Sequence, residues 1–224
     1  MSVVLDFGSL VPHAGVFASG AWYTVKLAVA TSVCGVALGV AGALARNARA
    51  PLPRWGAAAY VELVRNTPFL VQLFFIFFGL PALGVKMTAE TAAFLAMALN
   101  LGAYATEIIR AGIESVPKGQ VAAAMSLGLR PAQAFVHVVL KPAFANIYPA
   151  LVSQLVLVML GSAVVSQIAA EDLSFAANFV QSRNFRAFES YIAATLIYLA
   201  IAIAMRQSLL WMGRRLFAWR GAAR

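Results

Sequence analysis

Glu107–Pro142 reads EIIRAGIESVPKGQVAAAMSLGLRPAQAFVHVVLKP, a polar and alanine-rich stretch set between two strongly apolar ones. Pro117 suits the opening of a helix, because its missing amide would go unbonded there in any case. Lys118, Gly119 and Gln120 give that helix a polar entry, and Ala122, Ala123 and Ala124 give it a thin side able to sit in a groove. Gly128 permits the turn that ends it. A short helix of this kind, gripped by a docking partner, would move rigidly with it and carry the flanking apolar helices along. The plainer alternative is an amphipathic connector at the membrane interface.

Outward from this segment the chain is apolar. Of 224 residues, 62% are hydrophobic and 11% charged, and the mean hydropathy is +0.83; a soluble domain carries roughly 25% charged residues. This composition belongs to an integral membrane protein. In lipid every backbone amide needs a partner within its own segment, so a helical span takes about 20 mostly apolar residues. Trp22–Leu44, Trp55–Leu80, Ala89–Ile109, Ile147–Ser166 and Tyr191–Leu210 meet that measure and predict an all-α bundle of about five transmembrane helices. No low-complexity linker divides the chain, so residues 1–224 are expected to form a single transmembrane domain, with the polar segment at about 115–142 on the water side.

The formal charge is +9. Nucleic acid is not expected as a partner, because the basic residues are strung between apolar helices rather than gathered on one soluble face. Membrane orientation accounts for them better. Arg46, Arg49, Arg54, Arg65, Arg110, Lys118, Arg130, Lys141, Arg206, Arg214, Arg215, Arg220 and Arg224 fall toward one side, and only Lys26, Lys86, Arg183 and Arg186 toward the other. The positive-inside rule then puts the N-terminus outside and the C-terminus in the cytosol. The first apolar run is longer than the roughly 7–15 residues of a signal-peptide core, and no cleaved signal is expected. Cys34 has no partner thiol in the chain and is expected to be a small packing residue.

Gly35 and Gly39, with Gly42 nearby, form a small-residue face on the first span. Packing within one subunit is the simpler reading and a dimer seam the other. The stretch Trp55–Leu80 is long for one span and contains Glu62 and Arg65 ahead of Thr67-Pro68. Proline lacks the amide that would bond one turn back, so the helix is expected to break there. Membrane proteins tolerate such breaks where the freed backbone lines a cavity. On that reading Glu62, Arg65, Asn66 and Thr67 face a polar path; on the other, Glu62 and Arg65 only pair with each other.

Two blocks carry a resemblance: ELVRNTPFLVQLFFIFFGLP at Glu62–Pro81, and the run from Gly102, GAYATEIIRAGIESVPKGQ, into the polar segment. Together they resemble the permease family of polar amino-acid ABC importers, the histidine, glutamine, glutamate and arginine uptake systems. The polar segment is similar to that family's EAA loop, the short helix that inserts into an ATPase. The resemblance covers roughly Trp22 to Val180. It implies a type I ABC-importer permease fold and a multi-pass protein of the bacterial inner membrane. It also implies a second permease subunit, two cytosolic ABC ATPase subunits and a periplasmic amino-acid-binding protein. Gly119, Gln120, Ala123, Ala124 and Gly128 then become ATPase-coupling residues. No G-x-x-x-x-G-K-[ST] loop is present, so ATP and magnesium are expected on the partner ATPase, with no cofactor in this chain.

The chain departs from the family pattern in two places. Ala122 stands where the family has a glutamate, which removes a possible salt bridge to the ATPase, and Lys141-Pro142 stands where a Pro-x pair is usual. Leu160-Gly161-Ser162-Ala163 stands where the family has Lys-Asp-Thr-Ser, so two charges are missing from the fourth span. Charges within a membrane usually mark a pathway, and their absence here points to a heterodimer whose other permease supplies them.

Other chemistries find little support. His13 and His137 lack ligands at metal-binding spacing, and His137 is expected to cap or face solvent. Ser153, Ser162 and Ser166 have no histidine base, so they are expected to bond neighbouring helices or line the path, Ser162 as a candidate substrate contact. The rival function is an ion-coupled carrier or channel with Glu62, Glu107 and Arg110 as a relay, and a membrane enzyme is the weaker rival.

Overall fold

The computed structural model describes residues 5–48 and 50–218; Arg49, Arg220 and Arg224, which entered the charge argument, lie outside these. A 3-10 turn at Phe7–His13 leads into α1 (Ala14–Arg46). α2 (Pro51–Arg65) and α3 (Phe69–Ala82) meet at 110°. α4 (Ala89–Glu114) recrosses the bilayer, α5 (Lys118–Ser126) is the short helix of the polar segment, and α6 (Pro131–Ile168) ends in a 3-10 turn. α7 (Leu173–Asn184) and α8 (Ala187–Leu216) follow. Among the described residues four helices, in α1, α4, α6 and α8, are long and apolar enough to cross a membrane, and the bent pair α2–α3 makes five if it counts as one span.

Each helix runs past its apolar window because local chemistry caps it further out. The Thr88 hydroxyl accepts the Thr91 amide at 3.3 Å and opens α4, with Glu90 in the favourable first turn. α6 differs most from expectation. It starts at Pro131 rather than Ile147, because the Gln133 side chain folds back to accept the Arg130 amide at 2.9 Å. The polar segment is therefore shorter than 115–142, and its last third is a helical extension of the span. A π turn interrupts α3 at Phe75–Gly79 and α6 at Phe135–Val139. Each lies just before a proline, Pro81 or Pro142, whose ring forbids the ordinary bond one turn back.

α1 and α4 form the central pair. A Cβ on Gly35, Gly39 or Gly42 would overlap Leu101, Ala105 or Thr106 of α4, so the small-residue face packs within the subunit. Cys34, one step around α1, is exposed, and the expected packing role within the chain is not met. Toward the C-terminal end of α4, Glu107 ion-pairs with Arg46 of α1 at 3.5 Å and with Arg110 at 2.8 Å, while Arg110 also pairs with Glu114. Toward the N-terminal end of α1 the Leu173 amide donates to Thr24 at 3.1 Å, and buried Asp172 caps α7 by accepting the Phe175 amide at 2.9 Å. Burial pushes the Asp172 carboxyl above the usual carboxylate range, opposed by its bond from the Tyr198 hydroxyl at 2.6 Å. α8 is tied to α6 through the Tyr148 hydroxyl, which donates to the Leu209 carbonyl at 2.6 Å.

The seam predicts a position-specific response. Gly39→Leu forces overlap against Ala105 and is expected to cost about 1–3 kcal/mol or more, read as a lower unfolding temperature and poor yield in detergent. Gly15→Leu on the same helix meets nothing within 4 Å and is expected to behave as wild type.

Candidate functional site

The break between α2 and α3 is held by side chains. Helix α2 ends at Arg65, leaving its last carbonyls without the usual partners. Asn66 donates its side-chain amide to the Glu62 carbonyl at 2.8 Å and to Glu62 Oε2 at 2.9 Å, and the Thr67 hydroxyl donates to the Leu63 carbonyl at 2.8 Å. Gln72, on the first turn of α3, reaches back across the corner. Its Nε2 donates to the Val64 carbonyl at 2.7 Å and to the Thr67 carbonyl and hydroxyl at 3.0 and 2.9 Å. Its Oε1 accepts from Asn100 of α4 at 3.1 Å. One glutamine thus fixes the corner and ties it to the central pair.

The corner opens on a cavity of about 400 Å³. Thr67, Pro68 and Phe69 form one side, Met97, Asn100 and Tyr104 of α4 another, and Gln154, Leu157, Val158 and Gly161 of α6 the third. The polar groups are hydroxyls and amides with no ionised side chain among them. Arg65 stands near, its guanidinium 5.4 Å from the centre of the Tyr104 ring.

Of the residues expected to face the path, Thr67 alone lines the cavity. Asn66 and Glu62 are exposed and bond each other, and Arg65 sits over Tyr104 rather than pairing with Glu62. Glu62 and Arg65 lie on α2, which meets α3 at 110°, and neither is among the residues that line the cavity. Ser162 is fully buried and absent from the lining; its neighbour Gly161 takes the place. Ser153 and Ser166 do not bond neighbouring helices either, since their hydroxyls donate to Pro149 and Ala163 carbonyls of their own helix. Asn100, Tyr104 and Gln154 were missed. Two of them, Asn100 and Gln154, are amides within apolar runs, and that rarity was a usable signal.

The second candidate region is α5. Pro117 precedes its first residue and Gly128, at φ +86°, follows its end, as the sequence predicts. Gly119, Gln120, Ala123 and Gly128 are exposed. Ala124 is not; it is 6% exposed and faces the bundle, since adjacent residues on a helix point about 100° apart. Leu127 is 82% exposed beside them, an apolar side chain presented to the water side. Between α5 and the bundle runs a groove of about 590 Å³ lined by Ile113 and Glu114 of α4, Val121, Ala122 and Met125 of α5, and Phe135 and Val139 of α6, among others. α4 and α6 therefore border both the groove under α5 and the cavity at the break. Glu107 and Arg110 are paired toward the C-terminal end of α4 while Glu62 bonds Asn66, so the three groups of an ion relay are not brought together.

A corner buttressed by Gln72 and a short exposed helix levered on the same two spans agree with the sequence comparison. Residues 35–218 match the family of binding-protein-dependent transport system inner membrane components. The chain belongs to this family. It is 36% identical to the L-cystine transport system permease protein TcyB of Bacillus subtilis over 85% of this chain and 82% of that one. It is 34% identical to the arginine transport system permease protein ArtQ of the same organism over 90% and 92%. A crystal structure of an amino acid ABC transporter with histidines superposes with a TM-score of 0.89 at 38% identity, covering 95% of this chain and 100% of that one. The MetNI methionine ABC transporter, at 18% identity and a TM-score of 0.75, shares the fold. The permease is thus a multi-pass inner-membrane component that works with a binding protein and an ATPase.

The two alanines of α5 should separate folding from docking. Ala124→Arg places a charge against the bundle and is expected to lower folded yield, an overpacking cost of about 1–3 kcal/mol or more. Ala123→Arg, on the exposed side, is expected to leave the isolated permease folded while abolishing co-purification of its ATPase. Equal yields, or normal ATPase capture by the Ala123 variant, would contradict this assignment.

Proposed function

We propose that this permease forms half of the translocation path of an ATP-driven importer for a polar amino acid, with the cavity at the α2–α3 break as its substrate site. The observation that carries the reading is that α4 and α6 line both the cavity and the groove under α5. Closure of the ATPase against α5 would tilt these two helices together and change the cavity's access from the outer to the inner side. The relatives named for cystine and arginine support the substrate class. Thr67, Asn100, Tyr104 and Gln154 offer hydroxyl and amide contacts, and Arg65, its guanidinium over the Tyr104 ring, would meet a substrate carboxylate. ATP and magnesium belong to the ATPase, and this chain contributes no cofactor. Its N-terminus lies in the periplasm and its C-terminus in the cytosol, following the positive-inside distribution.

Uptake kinetics test the site. Replacing Arg65 with Gln removes a charge-assisted hydrogen bond worth about 1.5–3 kcal/mol, so transport should fall by about tenfold or more while the binding protein's own affinity is unchanged. Wild-type kinetics in that variant would exclude Arg65 from the path.

The partner follows from the third wall. Gly161, which lines this wall beside Leu157 and Val158, stands with Leu160 where the family's pattern carries charges, so the paired permease would supply the missing carboxylate and the assembly would be a heterodimer with two ATPases. Expression with the ATPase and binding protein but no second permease should then give no uptake. Robust uptake from that combination would establish a competent homodimer.

A further inference from the structure

Gln72 does more than hold the corner, because its bonds allow its amide one orientation. One end meets the Val64 carbonyl at 2.7 Å and the Thr67 carbonyl at 3.0 Å. Backbone carbonyls only accept, so the atom facing them is the NH2 and the opposite end is the amide oxygen. That oxygen stands 3.1 Å from the side-chain amide of Asn100. Two amide oxygens cannot bond each other, so the Asn100 atom facing it is again the NH2. Orientation passes from the backbone to Gln72 and from Gln72 to Asn100.

The consequence falls on the cavity, which Asn100 lines and Gln72 does not. With Nδ2 committed to Gln72, Asn100 Oδ1 is held as an acceptor, and it bonds nothing among the described residues. Thr67 is already engaged: its hydroxyl donates to the Leu63 carbonyl at 2.8 Å and accepts from Gln72 at 2.9 Å. Tyr104 follows Asn100 by four residues, on the same face of α4 and about 6 Å further along it. Arg65 lies over the Tyr104 ring at 5.4 Å. This face therefore presents an unused acceptor at Asn100 and a cation beside Tyr104, which suit the ammonium and the carboxylate of one α-amino acid.

We infer that Gln72 is the positioning residue that locks Asn100 with its carbonyl oxygen toward the cavity, where it accepts from the substrate ammonium. The inference rests on the cavity being the substrate site. An amide accepts at one end only and has to be oriented, whereas a carboxylate accepts at both oxygens and needs no orienting partner.

Uptake by the assembled importer, reconstituted in liposomes with its paired permease, ATPases and binding protein, tests this. The probe is the best carried by wild type among the radiolabelled protein amino acids and cystine. Gln72→Leu and Asn100→Leu are each expected to lower uptake per folded importer about tenfold. The double variant Gln72→Leu and Asn100→Leu is expected to be no worse than Asn100→Leu, and Gln72→Leu with Asn100→Asp to recover most of the loss. Multiplied losses in the first pair, or no recovery in the second, overturn the assignment, since a corner that has only lost its brace is not mended by a carboxylate on α4. If Gln72→Leu does not fold, residue 100 alone decides: Asn100→Asp is expected to keep uptake well above Asn100→Leu, and equal loss in both overturns the proposal. Gln154→Leu reports on the cavity itself, because Gln154 lines it with no hydrogen bond to Gln72. Wild-type uptake in both Gln154→Leu and Asn100→Leu removes the cavity as the site and the inference with it, whereas loss in Gln154→Leu beside a failed recovery removes the role of Gln72 alone.

Discussion

A backbone carbonyl or amide left unbonded in hydrocarbon costs several kcal/mol, and this permease is organised by how it meets that constraint at one corner. Pro68 ends the helical ladder inside an apolar stretch; Thr67 and Gln72 take up the carbonyls at residues 63, 64 and 67, and Asn66 adds a side-chain bond to the Glu62 carbonyl that its own amide already holds. Gln72 also holds Asn100, so the corner cannot move without α4. A break that would be ruinous against lipid becomes a polar wall facing a cavity.

The same economy joins the cavity to the water side. α4 is clamped to α1 by glycines that admit backbone contact, and its C-terminal end is pinned by Glu107 between Arg46 and Arg110. Ser115, just beyond that end, accepts from Asn146 of α6 at 3.0 Å, so the two helices under α5 are bonded to each other. Force on α5 therefore reaches a rigid pair rather than single spans. The π turn in α6 at Phe135–Val139 lies in this region, a natural place for a small change in helix direction.

The differences from expectation share one cause. Ala124 differs from Ala123, and Ser162 from Gly161, by a single step around a helix, and each step decides between facing the bundle and facing out. Composition and motif see these neighbours as equivalent. Glu62 and Arg65 precede the break on α2, which meets α3 at 110°, and Arg65 lies over Tyr104 beside the cavity rather than in its lining.

The sequence by itself determined the membrane class, the number of spans, the break at Pro68, the turn at Gly128 and the family, since each rests on local chemistry: hydropathy, a missing amide, a residue free to take positive φ, or a motif. Only the tertiary structure decided which side chains converge. Thr67, Asn100, Tyr104 and Gln154 come from three separate stretches, and their meeting depends on how closely Gly35, Gly39 and Gly42 let α1 approach α4 and on where Gln72 anchors the corner. Such distances arise from packing between helices far apart in the chain, and no local pattern records them.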